Sequence, residues 1–270
     1  MQKLKQTAII TGASSGIGAV YAERLASRGF DLSIVARNKS RLEDLAAKLE
    51  AQHDVSVTVL PADLSSPADL DRLERVLRTD PSISLIVNNA GFGGVKTLLE
   101  SDVSRMLEMI AVNVTALTRL TYAVVPGMVE RAHGTVINIA STVAIAPELL
   151  NGVYGGTKAF VLAFSQSLRK EMAGKGVEVQ VVMPGATGTE FWDVAGLGLH
   201  NVPSGKVMAT EDLVGAALVG LDRGEFATIP SLQDGAEWDA YEAARQVMLP
   251  HLSNTHPAER YAVKQPAKGS

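Results

Sequence analysis

The sequence predicts one α/β domain built on a doubly wound parallel sheet, and three observations carry that reading. Short β-branched runs alternate with longer segments of helical period along most of the 270 residues, a rhythm that places helices on both faces of a parallel sheet. A glycine-rich turn, Gly12 to Gly18, falls between the first such run and the first helical segment. Hydrophobic residues make up 46% of the chain and charged residues 20%, enough apolar surface to fill one large core.

Taken in order, Thr7 to Thr11 reads as a strand and Ile17 to Arg28 as the helix after it. Leu32 to Ala36 and Ser40 to Gln52 repeat the unit, as do Val55 to Leu60 and Pro67 to Thr79. Ser84 to Val87 follows, then helical material from Asp102 to Glu130, a strand at Thr135 to Ile139, a helix over Val153 to Ala173 and a strand at Val177 to Val182. From Glu190 to Met208 no regular period is visible, whereas Thr210 to Leu221 reads as a helix and Ala227 to Ile229 as a last strand. Asp234 to Leu249 is read as one more helix. The chain therefore divides into a domain over 1–230 and a C-terminal helix with a polar tail over 231–270, either an arm for a neighbouring subunit or a loose end. Right-handed crossovers put the C-terminal ends of all the strands on one edge, where ligands bind. The residues just after each strand are thus the ones to inspect.

Composition narrows the function. A net charge of −4 argues against nucleic acid or an anionic membrane as main partner, since both need a concentrated positive field. The absence of cysteine excludes disulfides, thiolate catalysis and cysteine-ligated metal, and no metal is expected. The opening Met1 to Gln6 is charged and lacks the apolar run of a signal peptide, and no apolar span of about 20 residues stands out. A cytoplasmic protein is the expectation.

At the first strand end, Thr11-Gly12-Ala13-Ser14-Ser15-Gly16-Ile17-Gly18 combines small residues, which let a pyrophosphate approach the backbone, with a helix N-terminus that offers free N–H groups. The same residues also fit the Gly-x-Ser-x-Gly elbow of a serine hydrolase, but none of the five histidines lies in a convincing post-strand motif. At the second strand end stands Arg37, either where a cation could meet a ribose 2′-phosphate or a solvated surface arginine, and no carboxylate of the kind that selects NAD; Asp31 is at the wrong end of its strand. Arg41, one turn on, reads as an ordinary surface arginine. After the third strand, Asp63-Leu64 offers either a helix cap or an acceptor for an adenine amino group. After the fourth, Asn88-Asn89-Ala90-Gly91 suits a close backbone approach, to a cofactor or between strands. Asn113 is an asparagine inside a helical stretch, where it costs roughly 0.7 kcal/mol relative to alanine, and fits a buried polar role or an interhelical hydrogen bond equally. Ser141 ends the fifth strand. Tyr154 and Lys158, four apart on a helix, share one face, so the cation can favour the phenolate; a plain helix-face pair has the same spacing.

Thr11-Gly-x-x-x-Gly-x-Gly18, Asn88-Asn-Ala-Gly91, Asn113, Ser141, Tyr154-x-x-x-Lys158 and Pro184-Gly185, in this order, resemble the short-chain dehydrogenase/reductase family in its single-domain, Rossmann-like form, over residues 5 to 190. The resemblance implies that Tyr154 exchanges a proton with a carbonyl or alcohol, that Lys158 holds the nicotinamide ribose and favours the phenolate, that Ser141 binds the substrate oxygen and that Asn113 holds a relay water. It implies cofactor contacts from Gly12, Ser14, Ser15, Gly16, Ile17, Gly18, Arg37, Asp63, Leu64, Asn89, Ala90, Gly91, Tyr154, Lys158, Pro184, Gly185, Thr187 and Thr189. Thr187 departs from the valine or isoleucine that many members carry there, while Thr189 fits the family's carboxamide-binding threonine. Residues 190–208 correspond to a substrate lid, whose apolar side chains suit an apolar substrate; a short amphipathic helix packed on the core is the other reading of the same residues. With Arg37, the expectation is an oxidoreductase preferring NADP(H) to NAD(H) and acting on a carbonyl or secondary alcohol, assembled as a homodimer or homotetramer. Its alternatives are a 3-oxoacyl thioester reductase and a non-catalytic NADP-binding sensor or scaffold.

Overall fold

The structure, a computed structural model, describes residues 5–261; the polar tail expected after Tyr261 lies outside the described residues. These divide into one unit that ends at Ser231 and another that begins at Leu232. In the first unit the chain runs β1 (Thr7–Thr11), α1 (Gly16–Ser27), β2 (Asp31–Ala36), α2 (Lys39–Gln52), β3 (Val57–Pro61), α3 (Pro67–Thr79) and β4 (Ile83–Asn88). It continues through α4 (Val103–Ile110), α5 (Leu117–Glu130), β5 (Gly134–Ile139), α6 (Gly152–Met172), β6 (Val177–Val182), α7 (Phe191–Ala195), α8 (Thr210–Asp222) and β7 (Ala227–Thr228). In the second unit, α9 spans Gly235–Met248, capped by Asp234, whose side chain accepts from Ala236 N–H.

The described strands form a parallel sheet in the order β3-β2-β1-β4-β5-β6-β7. Because β1 lies between β2 and β4, the direction of winding reverses there and opens a crevice beyond the strand ends. Strands buried on both faces need continuous apolar runs: all five residues of β1 are buried, as are all six of β4. On one face, Tyr21 and Leu25 of α1, Leu42 and Leu49 of α2 and Leu213 of α8 form a core with Ile10 and Ile34. On the other, Leu70, Leu73 and Leu77 of α3, Leu120 and Val124 of α5 and Leu168 of α6 pack with Ile9 and Ile86. Each such side chain contributes about 1.5–3 kcal/mol on burial.

Local chemistry sets the helix starts. Asn38 caps α2 by accepting from Arg41 N–H at 3.1 Å, and Ser66 caps α3 ahead of Pro67, where a missing N–H costs nothing. Asp63 is therefore not the cap of α3. It makes a local turn instead, accepting from Ser65 N–H at 2.9 Å and from the Ser65 hydroxyl at 2.8 Å.

Three further expectations need correction. The helical stretch from Asp102 to Glu130 is not uniform, because Ala111–Ala116 is wound as a π-helix between α4 and α5, a device that re-aims side chains at functional sites. Its whole length, Val103–Glu130, is also long and apolar enough to cross a membrane by length and composition, with a mean hydropathy of 1.3 in its most apolar window; half of that window is buried inside the protein. Finally, 190–208 is not without regular structure: it holds α7 and short 3-10 turns, with Trp192 and Ala195 buried. Pairing of Thr187 with Met208 fastens both ends of the segment.

Candidate active site

The strand ends surround a cleft of about 770 Å³. Its first wall is the turn between β1 and α1. Gly12 and Gly16 have φ of +69° and +53°, the left-handed region that side chains resist. A Cβ on Gly12 would lie 2.8 Å from Asn89 Nδ2, and one on Gly18 2.3 Å from the Gly12 carbonyl oxygen. The turn is held from the β4 side: Thr11 Oγ1 accepts from Asn89 N–H and Ala90 N–H, both at 3.0 Å, and Asn89 Nδ2 donates to the Thr11 carbonyl at 2.9 Å. Ser15, the residue before α1, makes no side-chain cap bond, so the first-turn amides keep their capacity for an anion.

Gly12, Ser14, Ser15, Gly16, Ile17, Arg37, Asp63, Leu64, Asn89, Ala90 and Gly91 line this half of the cleft. A bare glycine turn with free helix amides, followed by side chains after β2 and β3 along the same cleft, has the make-up of a nicotinamide dinucleotide site. The residues fit the implied group. Gly18 does not line the cleft; its role is steric, letting α1 pack on the Gly12 carbonyl.

The other half holds the chemistry. Asn151 caps α6, accepting from Val153 N–H at 2.9 Å and from Tyr154 N–H at 3.4 Å, and so fixes the turn that carries Tyr154. Gly155 admits Pro147, which would sit 2.8 Å from a Cβ there. Ser141, at the end of β5, takes Val143 N–H at 3.3 Å and donates to the Pro184 carbonyl, also at 3.3 Å; it is a turn serine as well as a cleft residue. Its hydroxyl is close enough to the Tyr154 phenol to favour the phenolate slightly. Lys158 Nζ donates to the Ile139 carbonyl at 2.8 Å and lies 5.9 Å from the Tyr154 ring centroid.

Burial dominates the electrostatics of this pair. It pushes the Tyr154 phenol up to about 12, against the smaller opposite effect of the Ser141 hydroxyl, and pushes the Lys158 ammonium down to about 8. In the protein without its cofactor, desolvation is the larger influence on the phenol, while the ammonium is engaged with a backbone carbonyl. Tyr154 keeps its proton at neutral pH.

Asn113 faces neither the cleft lining nor solvent. Its Nδ2 donates to the Phe92 carbonyl at 2.9 Å and to Thr157 Oγ1 at 3.1 Å, while its Oδ1 accepts from Phe92 N–H at 3.1 Å. The interhelical bond and the buried polar role are both present, and the side chain anchors the β4–α4 loop to α6. Pro184, Gly185, Thr187 and Thr189 line the cleft with Ser141, Tyr154 and Lys158. Thr187 spends its hydroxyl on the Gly185 carbonyl at 3.1 Å, and its own carbonyl accepts Trp192 Nε1–H at 2.9 Å.

Residues to which the sequence assigns no specific contact also line the cleft. Phe92, Leu149 and Leu150 add an apolar wall; Phe191 packs on Tyr154 with ring centroids 5.5 Å apart and fills the space a Gly93 side chain would need. Arg41, read from the sequence as an ordinary surface arginine, lines the cleft too, and its Nη1 donates to Glu190 at 2.8 Å. A period-based reading finds none of these, because each sits in a loop or is defined by its partner.

Residues 6–196 match the family described as short chain dehydrogenase. Over 95% of this chain and 99% of its own, the structure of a short-chain dehydrogenase from Sphingobium yanoikuyae in complex with NADPH superposes with a TM-score of 0.92 at 47% identity. A bulky-bulky ketone specific alcohol dehydrogenase from Comamonas testosteroni superposes at 0.88 with 42% identity, over 96% of this chain and 99% of its own. In sequence, a very-long-chain 3-oxoacyl-CoA reductase of Anas platyrhynchos is 35% identical over 66% of this chain; the match spans 58% of that relative's length.

Proposed function

The chain belongs to the short-chain dehydrogenase family, and from that premise we propose that it is an NADP(H)-dependent reductase of ketones, acting through Ser141, Tyr154 and Lys158. The observation that carries the proposal is the gathering of the Ser141 and Tyr154 hydroxyls and the buried Lys158 ammonium in one wall of the cleft. When bound, the nicotinamide supplies the hydride. Ser141 turns its hydroxyl from the Pro184 carbonyl to donate to the substrate oxygen and fixes its place. Tyr154, neutral at pH 7, hands that oxygen its proton as the carbonyl becomes an alcohol, the role a raised phenol suits. Lys158 sits behind, oriented by the Ile139 carbonyl, as a donor for the ribose and a proton source for re-protonating Tyr154. Gly12, Ser14, Ser15, Gly16 and Ile17 would hold the pyrophosphate, Arg37 the 2′-phosphate, Asp63 and Leu64 the adenine, and Pro184, Gly185, Thr187 and Thr189 the carboxamide side.

The wall formed by Phe92, Leu149, Leu150 and Phe191 supports an apolar substrate, and likeness to the Comamonas testosteroni enzyme extends this to ketones bulky on both sides of the carbonyl. Likeness to the 3-oxoacyl-CoA reductases supports a second reading, a 3-oxoacyl thioester substrate. A dimer or higher homo-oligomer is part of the proposal, supported by Leu98, Leu99, Val103 and Tyr122, which stand exposed around α4 and α5; light scattering in solution tests it.

The deciding experiment follows NADPH oxidation with aryl ketones, simple ketones and 3-oxoacyl thioesters, with Tyr154→Phe in parallel. Turnover that falls by roughly 10²–10⁴-fold in Tyr154→Phe, with NADPH binding intact, is the expected result. NADPH binding without turnover of any class by the unaltered protein would replace the reductase with a sensor or scaffold.

A further inference from the structure

The start of α7 is tied across the cleft by one carboxylate. Glu190, the residue before α7, accepts from Arg41 Nη1 at 2.8 Å, with Ser15 near enough to add a smaller favourable influence on the carboxylate. Arg41 and Ser15 come from two other segments, the first turn of α2 and the glycine turn before α1, and all three residues line the cleft. Glu190 therefore places an anion among the groups that a phosphorylated dinucleotide needs. Arg37 is similarly placed near a carboxylate, Asp63, whose ionised form it favours.

Geometry links this contact to the reacting end. Phe191, the next residue, packs on Tyr154, and its N–H is taken by Thr189 Oγ1 at 3.3 Å. Trp192 is buried and bonded to Thr187. Any displacement of Glu190 is thus passed directly to the aromatic pair beside the catalytic phenol. The tie is also exchangeable. Its side chains are 49% and 57% exposed, so water and salt weaken it, and a phosphate carrying nearly two charges satisfies a guanidinium fork and a hydroxyl better than one carboxylate does.

We propose that Glu190 is a resident anion on Arg41, beside Ser15, that the 2′-phosphate of NADP(H) displaces, so that loading of the phosphorylated cofactor unties the start of α7. Arg41 is then a second 2′-phosphate ligand, masked until the cofactor arrives. Glu190 is a specificity-setting residue: it imposes a competition that NADP(H) wins and NAD(H) never meets. The inference rests on the NADP(H) reading above, and the test separates the two.

Trp192 and Trp238 are the two tryptophans of the chain, so a Trp238→Phe background makes Trp192 a reporter of α7. Binding of NADP⁺ and NAD⁺ is measured by calorimetry, with Trp192 emission followed in parallel, for this background and for Glu190→Gln, Arg41→Ala and the double variant. Glu190→Gln tightens NADP⁺ by about two- to fivefold, the range of an exposed ion pair, and leaves NAD⁺ unchanged. Arg41→Ala weakens NADP⁺ and abolishes the effect of Glu190→Gln. NADP⁺ shifts Trp192 emission more than NAD⁺ does, and Glu190→Gln shows part of that shift without cofactor. Unchanged NADP⁺ affinity in Glu190→Gln, or equal tightening of NAD⁺, would overturn the displacement. Equal affinity of the unaltered protein for the two cofactors would instead overturn the NADP(H) preference itself.

Discussion

Lys158 is charged at a place that resists charge, and pH can expose the cost. Its side chain sits in a residue only 6% exposed, and burial lowers its ammonium from the ordinary 10.5 to about 8. Between those values the unfolded chain binds more protons at this site than the folded one, so stability rises as pH increases through the window. The gap corresponds to about 3 kcal/mol in full, and to about 2 kcal/mol between pH 7 and 9.5. Lys158→Met keeps the side-chain length and removes the proton. Urea unfolding of the cofactor-free proteins across that pH range should show the unaltered enzyme gaining about 2 kcal/mol relative to Lys158→Met. The buried tyrosines pull the opposite way at higher pH, since Tyr154 is raised to about 12 and Tyr21 higher still, but both proteins carry them and the difference removes their effect. Parallel stability curves for the two proteins would refute the idea that a buried ammonium is maintained here.

Gly12→Ala forces a side chain onto a φ of +69° and against Asn89 and Ala90; the φ alone costs about 1–2 kcal/mol, so the melting temperature and the affinity for NADPH both fall, as thermal scans and calorimetry would show. Asn138→Ala strips a buried ladder in which Asn138 Oδ1 accepts from Asn88 Nδ2 and Asn138 Nδ2 donates to Ser165, both at 2.9 Å; two partners lose their bonds, and urea unfolding should report a loss of about 2–4 kcal/mol. Arg37→Ala should weaken NADPH by roughly tenfold while leaving NADH unchanged, and equal effects on both would remove Arg37 from the 2′-phosphate.

How much was legible in the chain depends on how local each signal is. The glycine turn announces itself because φ near +60° and absent side chains are properties of Gly12 and Gly16 themselves. Tyr154 and Lys158 announce themselves because helix geometry alone puts them on one face. The alternation of strands and helices likewise predicts the parallel sheet and its functional edge, whereas the crevice beside β1 follows from the strand order.

The tertiary structure decided what depends on partners distant in sequence. Lys158 engages the Ile139 carbonyl, and desolvation holds Tyr154 protonated; neither follows from a four-residue spacing, since burial is a property of the whole packed core. That Asn113, in the π-helical segment, bonds Phe92 and Thr157 was not legible in its helical position alone. Asp63 lost the capping role to Ser66 through a turn three residues long. Arg41 looked like a surface arginine until Glu190, far along the chain and in a segment without periodicity, was brought against it. Backbone propensity and side-chain period travel with the sequence, whereas charge pairing and desolvation exist only once the fold has brought separate segments together.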